Sequence, residues 1–155
     1  MKVEFELNGE RVSVEAEAWT TLTDLLREGL GVLSVKKGCE QGECGACTVL
    51  LNGEAVPSCM VLAPQVEGAK VTTLEGLEHH PIMLDLRDAF IEGGAVQCGF
   101  CTPGMLISSY ALLRDNPHPT PEEVKEALVG NICRCTGYTK IIDAVLEAAE
   151  RVATE

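Results

Sequence analysis

Eight cysteines fall into two groups, and their spacing is the first feature of this chain able to do chemistry. Cys39, Cys44 and Cys47 stand in a C-x4-C-x2-C run, Gly38-Cys39-Glu40-Gln41-Gly42-Glu43-Cys44-Gly45-Ala46-Cys47, and Cys59 follows after a gap. This order suits a [2Fe-2S] rhomb. Each iron takes two thiolates, so one loop wraps the core and a more distant segment supplies the fourth ligand. Gly38, Gly42 and Gly45 interleave the cysteines. Glycine lets the backbone bend over an inorganic core and aim bare N–H groups at sulfur, and such hydrogen bonds help set a reduction potential. The rival, a zinc site, reads instead as two C-x2-C pairs well apart.

The second group is Cys98-Gly99-Phe100-Cys101 and Cys133-Arg134-Cys135. Both pairs run into a similar tail, Cys101-Thr102-Pro103-Gly104 and Cys135-Thr136-Gly137-Tyr138. Four thiolates here hold either zinc or an iron–sulfur cluster, although C-x1-C is unusual for zinc. With the cysteines committed as ligands, no Ser/His/Asp or Cys/His arrangement offers a nucleophile. His79 and His80 lie in a polar stretch and read as solvated, and His118 reads as a loop residue. Arg134 either offsets thiolate charge and meets a partner, or is a solvated surface residue. Lys36-Lys37 reads as a solvated pair, and Trp19 and Tyr138 read as packing residues rather than electron relays.

The elements that position these groups follow from patterning. Val3, Phe5 and Leu7 alternate with charged residues, Asn8-Gly9 turns the chain, and Val12, Val14 and Ala16 alternate on the way back, which is a hairpin signal. A threonine at 20–21 caps a helix with an apolar stripe of Leu22, Leu25 and Leu26, stopped by Gly29 or Gly31. After the cysteine loop, Asn52-Gly53 forms a second hairpin that delivers Cys59, and a last strand spans 69–74. This is an α+β unit of the β-grasp kind over residues 1–76. The stretch 75–81 reads as a linker. Beyond it, residues 77–155 carry four helical patterns, a compact all-α four-helix bundle. They run over about 81–91; from Thr102 as N-cap with Pro103 behind it to about 114; from Thr120-Pro121-Glu122-Glu123, a capping box; and from about 139 to the C-terminus. Val124, Ala127, Leu128 and Ile132 are expected to face inward. The Cys pairs thus sit in the loops of two helical hairpins, with helix N-termini offering N–H groups to an anionic centre.

Composition narrows the partners. With 155 residues the chain accommodates one ordinary domain or two small ones, and with 46% hydrophobic but 4% aromatic residues its core is aliphatic. A net charge of −12 opposes binding to nucleic acid or to an anionic membrane surface. The charged start Met1-Lys2-Val3-Glu4-Phe5-Glu6 is not a signal peptide. No apolar run reaches the ~20 residues of a membrane span. A reducing, cytoplasmic setting with thiols used as metal ligands is expected rather than disulfides.

Both cysteine sets in one chain, within Gly45-Ala46-Cys47-Thr48, Gln97-Cys98-Gly99-Phe100-Cys101-Thr102-Pro103-Gly104 and Gly130-Asn131-Ile132-Cys133-Arg134-Cys135-Thr136-Gly137-Tyr138, make the sequence resemble a known family. It is the iron–sulfur subunit of the molybdenum hydroxylases, which include xanthine dehydrogenase, aldehyde oxidoreductase and carbon monoxide dehydrogenase. The resemblance covers nearly the whole chain. It implies a plant-type ferredoxin domain whose distal [2Fe-2S] cluster is held by Cys39, Cys44, Cys47 and Cys59. It implies a helical domain whose proximal [2Fe-2S] cluster is held by Cys98, Cys101, Cys133 and Cys135. Gln97 and Cys135 match positions that approach the pterin. The family's molybdopterin and FAD domains have no counterpart here, and no Gly-rich dinucleotide fingerprint is visible. The resemblance therefore implies an electron relay whose partners are a large molybdopterin subunit and a medium FAD subunit, assembled as a dimer of heterotrimers. Two other readings are a free two-cluster carrier, which would lack tight partners, and a cluster-based sensor, which would lose regulation when its cluster is removed.

Overall fold

The computed structural model describes residues 1–154. Strands β1 (Lys2–Leu7) and β2 (Glu10–Glu15) pair antiparallel across Asn8-Gly9. Asn8 at φ 52° and Gly9 at φ 87° both take the left-handed conformations that a two-residue hairpin demands. Strands β3 (Thr48–Leu51) and β4 (Glu54–Pro57) repeat the device across Asn52-Gly53. Strand β5 (Lys70–Thr72) lies between the hairpins, parallel to β1 and antiparallel to β3, and the sheet order is β2-β1-β5-β3-β4.

The helix against this sheet covers the expected residues from Thr21 as cap to Gly29, but changes pitch along the way. An α turn, α1 (Leu22–Asp24), runs into a π-helical turn (Leu25–Gly29). Thr21 caps it, its Oγ1 accepting the Asp24 N–H at 3.1 Å. Leu22, Leu25 and Leu26 are all buried with Val3, Phe5, Val35 and Val49. Each such aliphatic side chain contributes about 1.5–3 kcal/mol when fully buried. This is how the unit holds together with Phe5 as the aromatic side chain in that core.

Helix α2 (Leu74–Leu77) occupies the stretch read as a linker. It is only four residues long, too short to show a helical period. Helices α3 (Pro81–Glu92), α4 (Thr102–Asp115), α5 (Pro121–Ala127) and α6 (Thr139–Thr154) follow. Three details depart from the sequence reading. Cys101, not Thr102, stands at the N-cap of α4, because Gly99 at φ 83° closes a turn in which the Thr102 N–H already donates to the Gly99 carbonyl. His80 is not simply solvated: its Nδ1 accepts the Ile82 N–H at 3.3 Å to cap α3, and its ring meets the edge of Tyr110 at 5.0 Å. Ile132 and Trp19 do not pack inward but are exposed, Ile132 in the loop after α5 and Trp19 in the turn after β2. The α5 capping box forms as read, with Glu123 N–H on the Thr120 Oγ1 at 3.2 Å and Thr120 N–H on the Glu123 carboxylate at 2.7 Å.

Strand β3 is the wall shared by both halves. Successive side chains of a strand point to opposite faces. Val49 accordingly joins the core around α1, while the adjacent Leu50 joins the helical core with Leu86, Phe90, Met105, Leu113 and Ile141. The Arg114 guanidinium at the end of α4 donates to the Gly53 carbonyl in the β3–β4 turn at 2.7 Å.

Candidate metal centres

The loop between α1 and β3 folds its backbone donors onto sulfur. The N–H groups of Gln41, Glu43 and Cys44 reach Cys39 Sγ at 3.4, 3.3 and 3.3 Å. Those of Cys39 and Ala46 reach Cys44 Sγ at 3.4 and 3.5 Å. Cys59, in a 3-10 turn (Ser58–Met60) at the end of β4, lies beside Cys47 and the Gly42 backbone. Gly42 and Gly45 take positive φ, and so does Glu40 at 55°. Gly38 serves by close approach instead: a Cβ there would stand 2.7 Å from Cys44 Sγ.

These contacts split the thiols chemically. The Gln41, Cys44 and Glu43 N–H groups bring Cys39 down to about 7. Burial, then the neighbouring Cys47 thiolate, pushes Cys59 up to about 11. A nest of N–H groups over sulfur favours negative charge, which a tetrathiolate iron–sulfur centre carries.

The second set gathers at the ends of the helices. Cys101 lies against Cys133, Cys98 is near enough to act on Cys101 electrostatically, and the Thr136 N–H and hydroxyl donate to Cys133 Sγ at 3.4 and 3.2 Å. Burial first, then the Cys133 thiolate, pushes Cys101 up to about 12. Burial also opposes ionisation of Cys133, but hydrogen bonds from the Thr136 hydroxyl and N–H, with the nearby Cys135 backbone, hold it below the ordinary thiol value. Cys133 is buried, Cys101 half-buried, and Cys98 and Cys135 open on the surface. Gln97, also exposed, donates from Nε2 to the Cys135 carbonyl at 3.2 Å. All eight cysteines are free thiols. Among the described residues no three His, Cys, Asp or Glu side chains converge on a single ion.

The two loops meet. The Ile132 N–H donates to the Cys44 carbonyl at 2.8 Å, and Asn131 Nδ2 donates to the Gly45 carbonyl at 3.2 Å. Asn131 is buried and its Oδ1 accepts from the Ser108 hydroxyl at 2.7 Å. Asn131 has no role legible in the sequence, since no local pattern announces a bond across 86 residues. Around the loops, Lys37 pairs with Asp24 at 2.6 Å and Glu40 at 3.4 Å rather than standing solvated. Arg134 is exposed. Tyr138 accepts the Cys133 N–H at its hydroxyl rather than merely packing.

A β-grasp sheet and a helical bundle, each carrying four cysteines in its loops, are the architecture of a two-centre iron–sulfur electron-transfer protein. Residues 5–76 match the family model described as a 2Fe-2S iron-sulfur cluster binding domain, and residues 73–146 match a [2Fe-2S] binding domain. The nicotinate dehydrogenase small FeS subunit of Eubacterium barkeri is 51% identical over 151 residues, 97% of this chain and 96% of that one. The nicotine 6-hydroxylase small subunit of Paenarthrobacter nicotinovorans is 46% identical over 100% of this chain and 93% of its own. Crystalline quinoline 2-oxidoreductase from Pseudomonas putida 86 contains a chain that superposes with TM-score 0.91 at 43% identity, covering 99% of this chain and 96% of that one. The aldehyde oxidoreductase of Desulfovibrio gigas matches 99% of this chain with TM-score 0.90 at 39% identity, but only 17% of its own length. The chain belongs to the family of iron–sulfur subunits of the molybdenum hydroxylases and carries two [2Fe-2S] domains.

Proposed function

We propose that this chain relays electrons from a molybdopterin site on a large partner subunit, through its two [2Fe-2S] clusters, to FAD on a medium subunit. The observation that carries the reading is the arrangement of two four-thiol sets in loops joined through Cys44, Gly45, Asn131 and Ile132. Cys98, Cys101, Cys133 and Cys135 hold the proximal cluster, and Cys39, Cys44, Cys47 and Cys59 the distal one. Residues 1–76 and 77–155 act as one domain per cluster, with α2 at the seam, where Leu77 packs into the helical core. Each cluster, when bound, accepts and releases single electrons. The chain's own part is to aim N–H donors at the sulfurs, to bury Cys47 and Cys133 away from water, and to leave Cys98 and Cys135 at the surface facing a partner.

Gln97 and Cys135 form the contact to the pterin of the large subunit; the Gln97–Cys135 hydrogen bond at an exposed edge supports this. No substrate site lies on this chain under this reading. The complex is cytoplasmic and forms a dimer of heterotrimers. Among the described residues, no helix is long and apolar enough to cross a membrane.

Low-temperature EPR with spin counting on the dithionite-reduced, iron-reconstituted chain tests the relay. Two distinct signals of about one spin each are expected; a single signal would remove the relay. Purification through a tag on this chain is expected to bring both partner subunits, and a chain that emerges alone favours the free carrier. Gln97→Ala is expected to lower pterin retention and turnover of the assembled complex while both EPR signals persist. Unchanged retention would sink the pterin contact.

A further inference from the structure

The tail of the second cysteine pair closes into a ring of hydrogen bonds. The Cys133 N–H donates to the Tyr138 hydroxyl at 3.0 Å. The Tyr138 N–H donates to Thr136 Oγ1 at 3.2 Å. Thr136 completes the ring: its hydroxyl and its N–H reach Cys133 Sγ at 3.2 and 3.4 Å. A threonine hydroxyl has one proton and two lone pairs. With one lone pair engaged by the Tyr138 N–H, that proton is left aimed at the sulfur.

The backbone is bent to make this possible. Gly137 at φ 71° and Tyr138 at φ 73° both lie in the left-handed region. A tyrosine rarely adopts that conformation, so the ring of hydrogen bonds must hold it there. The bonds to Cys39 and Cys44 come from backbone N–H groups, which side-chain substitution does not remove. The bond from the Thr136 hydroxyl is set by a side chain.

We propose that Thr136 is a positioning residue that raises the reduction potential of the cluster in the helical domain by donating its hydroxyl proton to the Cys133 sulfur. The inference rests on the assignment of that cluster to Cys98, Cys101, Cys133 and Cys135. Reduction adds one electron, drawn from a partner centre in the complex or from dithionite in the test, and part of its charge spreads onto the ligand sulfurs. A donor on sulfur stabilises the more negative, reduced state.

The test is an EPR-monitored redox titration of the iron-reconstituted full chain as wild type, Thr136→Val, Thr136→Ala and Thr136→Ser. The β-grasp cluster in the same sample is the internal reference. The Val and Ala variants are expected to shift the helical-domain midpoint to more negative potential and leave the reference midpoint in place. The Ser variant, which keeps the hydroxyl, is expected to titrate as wild type. An unshifted midpoint in Val and Ala with both clusters present overturns the tuning role. Loss of the helical-domain cluster in both variants also overturns it, marking the hydroxyl as a structural prop. A wild-type chain without a helical-domain signal overturns the site assignment itself, a failure distinct from an unshifted midpoint.

Discussion

Gly45 shows how little freedom the meeting of the two cysteine loops allows. It has φ 72°, and a Cβ there would run into the Gly130 carbonyl and the Asn131 side chain. Gly68 has a similar φ of 69° but faces open space. The pair separates backbone conformation from steric fit. Gly68→Ala is expected to cost about 1–2 kcal/mol, the ordinary left-handed penalty. Gly45→Ala adds displacement of backbone, so its loss in urea unfolding is expected to exceed that of Gly68→Ala and to be accompanied by poor iron loading. Equal losses for the two variants would show that the junction yields easily. The cysteines were legible because ligand spacing is a local property of sequence. Asn131 and Thr136 were not, since what they do depends on which atoms the fold brings to them: a carbonyl on the other loop, and a sulfur reached through a left-handed turn.

At the level of elements, legibility followed length and capping. The α5 start was readable because Thr120, Pro121 and Glu123 each satisfy a separate local requirement of a helix N-terminus. Helix α2 was not, because four residues cannot display a period, and the π turn after α1 leaves the same apolar residues buried as an α-helix would. Yet α2 carries a tie of consequence. Glu75 accepts from the Ser34 N–H at 3.0 Å, the Ser34 hydroxyl at 2.7 Å and the Thr73 hydroxyl at 2.6 Å, joining α2 to the segment before the first cysteine loop. Burial opposes its ionisation, but the Thr73 and Ser34 donors outweigh that and hold the carboxyl below the usual range. The folded pKa being depressed, this tie stabilises fully above the unfolded value near 4.3 and is lost as pH falls through the folded value. The carboxylate is at the surface, so the gain is about 1 kcal/mol. Glu75→Gln is expected to lower Tm by about 2–4 °C at pH 7. The difference from wild type should vanish under strongly acidic conditions, and a difference that persists there would refute the electrostatic origin of the tie.

The whole molecule is two cores built on one wall and clasped where the two cysteine loops touch. Val49 and Leu50 send neighbouring side chains of β3 into opposite cores, so neither half can lose the strand without disturbing the other. At the cysteine loops the clasp is polar. Asn131 holds the Gly45 carbonyl with its amide N–H and receives the Ser108 hydroxyl, all three groups being withdrawn from water. Such a group is costly to leave unpaired, about 1–3 kcal/mol for a buried donor or acceptor. Relay through two centres requires their loops to keep a fixed separation, and this clasp lies where the two loops touch. Asn131→Ala leaves the Ser108 hydroxyl and the Gly45 carbonyl without this partner while removing no sulfur ligand. The loaded variant is therefore expected to retain both EPR signals. Its calorimetric transition should fall by about 2–4 °C per kcal/mol lost and broaden as the halves uncouple. A transition as sharp and as high as wild type would mean that β3 and the remaining ties couple the two halves and that the Asn131 side chain contributes nothing.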